Sequence, residues 1–178
     1  MYKTLGGMGL KKHKMNEITD IIHDKVKSHK EIQKLLYYDE SDVDIYNMPD
    51  LSRSQAKQVM NNNIFTKKQA FSKDEKAKCY LCMQYGIRRY HSKRNSYFDG
   101  NTFNFYVLCR NDIIINDYVG SRINEIEGIL EEIFDDGEIG TVCRSRMISS
   151  EDFDAKDDYY GRHIIIEFYD FNGDKYGY

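Results

Sequence analysis

TFNFYVLCR (Thr102–Arg110), RINEIEGILEEIF (Arg122–Phe134), VCRSRMIS (Val142–Ser149) and RHIIIEFYDF (Arg162–Phe171) decide the fold of this 178-residue chain. The second stretch places Ile123, Ile126, Ile129, Leu130, Ile133 and Phe134 on one face of a helix and Glu125, Glu127, Glu131 and Glu132 towards water. The other three are strand-like. In the last, Ile164, Ile166 and Phe168 oppose Ile165, Glu167 and Tyr169. Strand, helix, strand, strand in that order predicts a small sheet with a helix across one face.

Upstream, Lys78–Tyr90 supplies another strand, with Cys79, Leu81, Met83, Tyr85 and Ile87 on one face and Tyr80, Cys82, Gln84 and Arg88 on the other. Asp99-Gly100-Asn101 is the strongest reversal signal before the antiparallel return at Phe103. From Asn16 to about Tyr38, Ile18, Ile21, Ile22, Val26, Ile32, Leu35 and Leu36 predict one long amphipathic helix, with His29 packed half-buried beside the stripe. Ser52 or Ser54 caps a shorter helix that runs to Met60 and breaks at Asn61-Asn62-Asn63. Gly137 is placed to end the last helix in a left-handed conformation.

The expected class is therefore α+β: a four-stranded, antiparallel-rich sheet carrying two principal helices. Residues 1–14 form a basic, glycine-containing arm, 15–172 a single domain with a loop-rich insertion at about 39–78, and 173–178 a tail. Length suits one domain. With 15 Tyr, 9 Phe, no Trp and one proline, large aromatic contact area is available. A net charge of −3 gives no global attraction to nucleic acid. The opening residues lack the apolar run of a signal peptide, and no stretch is apolar enough for a bilayer span. A soluble chain with reduced, buried thiols is expected.

Each motif with chemical potential also has a plainer account. Cys79 and Cys82 have metal-knuckle spacing, but on a regular strand they point to opposite faces about 10 Å apart, too far for one zinc or one disulfide. Asp39, Glu40, Asp42 and Asp44 lack the turn glycine and twelfth-position Glu of a helix-loop-helix calcium site, so a solvated loop is preferred. Asp112, Asp117, Glu167 and Asp170 show no consecutive-strand nuclease pattern. No catalytic residue, metal ligand or cofactor is assigned. Arg88, Arg89, Lys93 and Arg94, interleaved with Tyr90, Tyr97 and Phe98, suit a soluble hairpin tip, then an inter-subunit contact, then a nucleic-acid surface.

The strand pair around Asp99–Phe103, the helix from Arg122-Ile123 to Ile133-Phe134, Ile139-Gly140, and Tyr159-Tyr160-Gly161-Arg162 leading to Asp170-Phe171-Asn172 resemble tail-terminator and neck proteins of tailed bacteriophages. The likeness spans about 100 residues. It implies a non-enzymatic virion subunit, assembled in the host cytoplasm as a ring, by expectation a hexamer. The ring would cap the tail tube, meet the head-closure or connector protein, and let DNA pass through its lumen. Candidate interface or lumen residues are Arg88, Arg89, Arg94, Glu131, Glu132, Asp135, Asp136, Glu151, Asp152 and Asp154, the last three within a predicted acidic loop at 150–158. The alternative is a small intracellular nucleic-acid-binding protein using the basic arm and the Arg88–Arg94 tip.

Overall fold

A computed structural model describes residues 12–66, 79–91, 97–135, 137–139, 143–155 and 158–169. Among the described residues, four helices, α1 (Lys12–Ser28), α2 (Lys30–Tyr37), α3 (Arg53–Asn62) and α4 (Arg122–Phe134), accompany eight strands. These are β1 (Ile64–Phe65), β2 (Cys79–His91), β3 (Tyr97–Arg110), β4 (Ile115–Asn116), β5 (Gly120–Ser121), β6 (Gly137–Ile139), β7 (Cys143–Asp154) and β8 (Tyr159–Tyr169).

The main sheet has six strands in the order β1-β2-β3-β8-β7-β6. Its four long central strands are mutually antiparallel, as expected, but two short strands extend it. β1 lies parallel to β2 and β6 lies antiparallel to β7. Four helices rather than two build the other layer. The region from 39 to 78 is more than an inserted loop: Ile45, Val59 and Ile64 from it are buried in the main core.

The inward face of the sheet (Cys79, Leu81, Met83, Phe103, Phe105, Val107, Ile164, Ile166, Phe168) packs on Ile18, Ile22, Val26, Ile32, Leu35, Ile126, Leu130 and Phe134 from the helices. Each fully buried aliphatic or aromatic side chain there contributes roughly 1.5–3 kcal/mol. The opposite face gathers Tyr80, Cys82 and Leu108, with Phe65, Tyr106, Phe153 and Tyr159 around them.

The expected helix from 16 to 38 is two helices. His29 sits between them with extended ψ of 116°. Ser28 Oγ donates to the Asp24 carbonyl at 2.5 Å and Gln33 Nε2 donates to the Lys27 carbonyl at 2.5 Å. Gln33 thereby satisfies a carbonyl that the break frees. The apolar spacing changes there too, from steps of four at Ile18, Ile22 and Val26 to Ile32, Leu35 and Leu36. α1 also takes in Lys12 and Lys14, so the arm is shorter than expected.

Asp99-Gly100-Asn101 does not turn. It lies inside β3, where thirteen consecutive cross-strand pairs, Cys79↔Cys109 to His91↔Tyr97, override the local preference. Residues 92–96, with Lys93 and Arg94, lie outside the described residues. So do residues 67–78 of the expected insertion, Asp136, Asp170 and the tail. Gly137 is no helix cap: α4 stops at Phe134, Asp135 is extended (φ −77°, ψ 123°), and Gly137 opens β6. The predicted acidic loop is strand for its first half. Glu151, Asp152 and Asp154 belong to β7, opposite His163, Arg162 and Tyr160 of β8. Ser52 caps α3 as expected, in a reciprocal box with Gln55.

Candidate interaction surface

Arg122 opens α4 and is wholly buried, 0% exposed. Its Nε donates to the Ile113 carbonyl at 2.8 Å. Nη1 donates to the Leu35 carbonyl at 3.3 Å and the Tyr38 carbonyl at 2.5 Å, and Nη2 to the Glu40 carbonyl at 2.5 Å. A guanidinium without carboxylate partners is thus spent on backbone oxygens, two of them at the end of α2, where a cation also favours the helix dipole. It pins together the loop after α2 and the loop after β3.

Asn116 does the same from the other side. Its Nδ2 donates to the carbonyls of Glu40 (3.3 Å) and Val43 (2.9 Å), while Oδ1 accepts from the amides of Tyr118 (3.0 Å) and Val119 (3.1 Å). The Asp117 amide donates to the Ser41 carbonyl at 2.9 Å. β4 and β5 form a tight hairpin, Ile115↔Ser121 and Asn116↔Gly120, whose three-residue loop closes through Gly120 at φ +74°. The loop at 39–49 is therefore fastened and carries the buried Ile45, in contrast to the freely solvated loop expected.

These two fastened loops present the large exposed apolar side chains of the described residues: Tyr46 (43% exposed), Ile115 (58%) and Tyr118 (61%). Tyr46 Oη is held by the Glu125 carboxylate on the first turn of α4, and burial together with that hydrogen bond raises its pKa. The surrounding stretches, 39–49 and 111–121, contain Asp39, Glu40, Asp42, Asp44, Asp112 and Asp117 and no lysine or arginine. Exposed apolar side chains thus stand on fastened, acid-rich loops. Neither Arg122 nor Asn116 was singled out by sequence reasoning. The exposed Tyr–Ile pair beside Asp-rich loops was the available signal.

The previously named residues scatter. Glu131 and Glu132 are exposed on α4. Asp135 is a local brace: its amide donates to the Glu131 carbonyl at 2.7 Å and its carboxylate accepts from the Met147 amide at 3.1 Å. Asp152 binds Arg162 at 2.8 Å, and its pKa is lowered by hydrogen bonds from Tyr160 and Arg162. Arg162 also reaches Asn124 (2.9 Å) and Glu127, tying β8 to α4. Glu151 accepts from Ser149 Oγ at 3.0 Å. Glu167, expected on the outer surface, is on that face but buried, paired with Arg146 at 2.7 Å.

Arg88 and Arg89 occupy β2 opposite Gly100 and Asp99. Among the described residues, the last pair of β3 with β8 is Asn101↔Phe168, while β2 and β3 stay paired from Arg88↔Gly100 to His91↔Tyr97. Arg94 and Asp136 lie outside the described residues, as do the side chains of Arg88, Arg89 and Asp154. That paired stretch and the acidic β7 end stand at opposite ends of the sheet.

Among the described residues, no three His, Cys, Asp or Glu side chains gather as a metal cage. Cys79, Cys82, Cys109 and Cys143 are buried. A groove of about 740 Å³ beside the α1–α2 break is lined by Asp24, Lys25, Lys27 and Lys30, with Lys30 engaged by Asp50 at 2.6 Å. No described helix is long and apolar enough to cross a membrane.

A protein-family model, YomW, matches residues 29–168. The chain belongs to the YomW family. That family is named after a Bacillus phage-region gene, which associates this chain with phages. The YomW match starts at His29, the break between α1 and α2, and takes in both the fastened loops and the paired Arg88–His91 and Tyr97–Gly100. No curated protein matches the chain.

Proposed function

We propose that this YomW-family chain is a structural, non-enzymatic virion protein: a tail-terminator or neck subunit. It assembles as a ring, by expectation a hexamer, caps the tail tube and joins it to the head connector, with DNA passing through the lumen. The observation that carries the reading is the pairing of Arg88–His91 with Tyr97–Gly100, which among the described residues continues past the last β3–β8 pair, Asn101↔Phe168. A two-stranded extension of this kind is a natural element for adding to a neighbour's sheet. The phage association of the family supports the setting, and the exposed apolar side chains on the fastened loops support an assembly role over a reaction site.

Deleting the gene from the phage genome tests this. The reading expects unjoined heads together with tails of uncontrolled length, restored by the chain supplied from a plasmid. Intact, infectious particles in normal yield without the chain would refute it.

A further inference from the structure

We infer that Cys79 and Cys109 form a redox-responsive pair, closed into a disulfide when the chain meets a small-molecule disulfide and kept as two thiols under reducing conditions. The strand register brings them together. Cys79 of β2 stands directly opposite Cys109 of β3, at one end of the described ladder between those strands. Directly opposite residues of an antiparallel pair share a face, and their Cα atoms lie about 4.5–5.5 Å apart. A disulfide accepts Cα separations of about 4.4–6.8 Å, so closure asks for side-chain rotation and little movement of the backbone.

Both side chains belong to the inward face, Cys79 2% and Cys109 0% exposed, within the main core. Their thiols hydrogen-bond to each other, and that bond, followed by burial, raises the thiol pKa of Cys79. The charge of Arg122 and the backbone of Tyr80 act in the opposite direction and favour the thiolate, the form that attacks a disulfide. Asn63 Nδ2 donates to the Cys79 carbonyl at 3.0 Å, which fixes the backbone at that rung. The register gives the other two cysteines different neighbours. Cys82 stands opposite Tyr106 on the outer face, and Cys143 opposite Ile139 in β6.

Closure proceeds by exchange. As the chain folds, or when this end of the ladder opens, the thiolate of one cysteine attacks a sulfur of the small disulfide, forming a mixed disulfide and expelling one thiolate. The thiolate of the second cysteine then attacks the protein sulfur of that mixed bond and expels the other half. Two protein thiols are oxidised, one small disulfide is reduced to two thiols, and the two protons pass to the thiols released. The closed loop holds about 30 residues and joins β2 to β3 near the start of one and the end of the other, so the bond removes freedom from the unfolded chain. The pairing stands independently of the virion reading.

Refolding the full chain from urea in a buffer of reduced and oxidised glutathione tests it. The product is quenched with acid, unfolded, alkylated and mapped by mass spectrometry of its unreduced peptides. A linked Cys79–Cys109 peptide pair should account for most of the protein, with Cys82 and Cys143 alkylated. The linked chain should melt ~10 °C above the chemically reduced one. Cys82→Ala should keep that increment and Cys109→Ala should abolish it. Four unlinked cysteines, a predominant bond to Cys82 or Cys143, or a linked chain that melts no higher than the reduced one would overturn the assignment. The mapping uses the wild-type chain, so it decides the matter even where a variant fails to fold.

Discussion

Replacing Arg122 with methionine should cost the fold far more than any exposed arginine does. The side chain is 0% exposed and serves the carbonyls of Ile113, Leu35, Tyr38 and Glu40. Methionine roughly keeps the volume and deletes every donor. A buried acceptor left unsatisfied costs about 1–3 kcal/mol. The oxygens of Ile113 and Leu35 remain inside, because both residues are buried, whereas Tyr38 and Glu40 lie near enough to solvent for water to replace the guanidinium. Two stranded oxygens imply ~2–6 kcal/mol, and relief from burying a charge offsets part of that. The net expectation is a loss of ~2–4 kcal/mol, or about 5–15 °C in Tm for a chain of this size. Urea unfolding of the full chain measures it, with Arg110→Ala as the control. Arg110 pairs with Asp112 at the surface and should change stability by less than ~1 kcal/mol. Hydrogen exchange should show the same lesion locally, as faster exchange of the amides from 40 to 48 and from 113 to 121. An Arg122→Met protein within ~1 kcal/mol of wild type would refute the view that this guanidinium fastens the two loops.

Gly161 admits no side chain, since a Cβ there would lie 2.4–2.8 Å from the ring carbons of Phe153. Gly161→Ala should lose ~1–3 kcal/mol by overpacking, and most of that increment should vanish in a Phe153→Ala background, measured by denaturation of the four-member cycle. His23 has its pKa lowered from 6.5, chiefly by burial and then by Lys27, so the unfolded chain takes up its proton first as pH falls. The stability it allows is present above about pH 6.5 and declines as pH drops through that value towards the lower folded pKa. His23→Leu should flatten the pH dependence of unfolding free energy across that window, and an unchanged slope would count against the assignment. Burial raises the thiol pKa of Cys143 to about 12, and Cys79, Cys82 and Cys109 are buried too. A thiol reagent should leave all of them unlabelled in the native chain and label them together on unfolding; rapid native labelling of Cys82 would contradict the outer-face packing around it.

Much of the scaffold is legible because its signals are repetitive. The alternation through Cys79, Leu81 and Met83 gives β2 its inward face, the Ile123–Phe134 stripe gives α4, and Ser52 with Gln55 marks the start of α3. Where local chemistry competes with tertiary pairing, the sequence misleads. Asp99-Gly100-Asn101 has turn character, yet the ladder with β2 extends it, and Tyr85 Oη donates to Asn101 Oδ1 at 2.7 Å. Asp152 sits in a stretch that looks like a solvated loop, and Arg162 on the neighbouring strand draws it into β7. The short strands β1 and β6 are set by their neighbours and have too few residues to show a period.

The interaction surface was the least legible part, for a definite reason. Arg122 stands at the first position of an amphipathic helix, where an arginine ordinarily faces water. Only the convergence of four distant carbonyls explains its burial, and no spacing in the chain announces that. The acidic residues around it were visible as a cluster, but the fastening that sets them beside exposed apolar side chains was not.

The claim that this chain serves by joining subunits is tested most directly by a cryo-electron-microscopy map of the neck of purified phage particles. The account predicts density for this fold in a closed ring at the junction of head and tail. A neck fully accounted for by other proteins, with this chain missing from the particles, would contradict it.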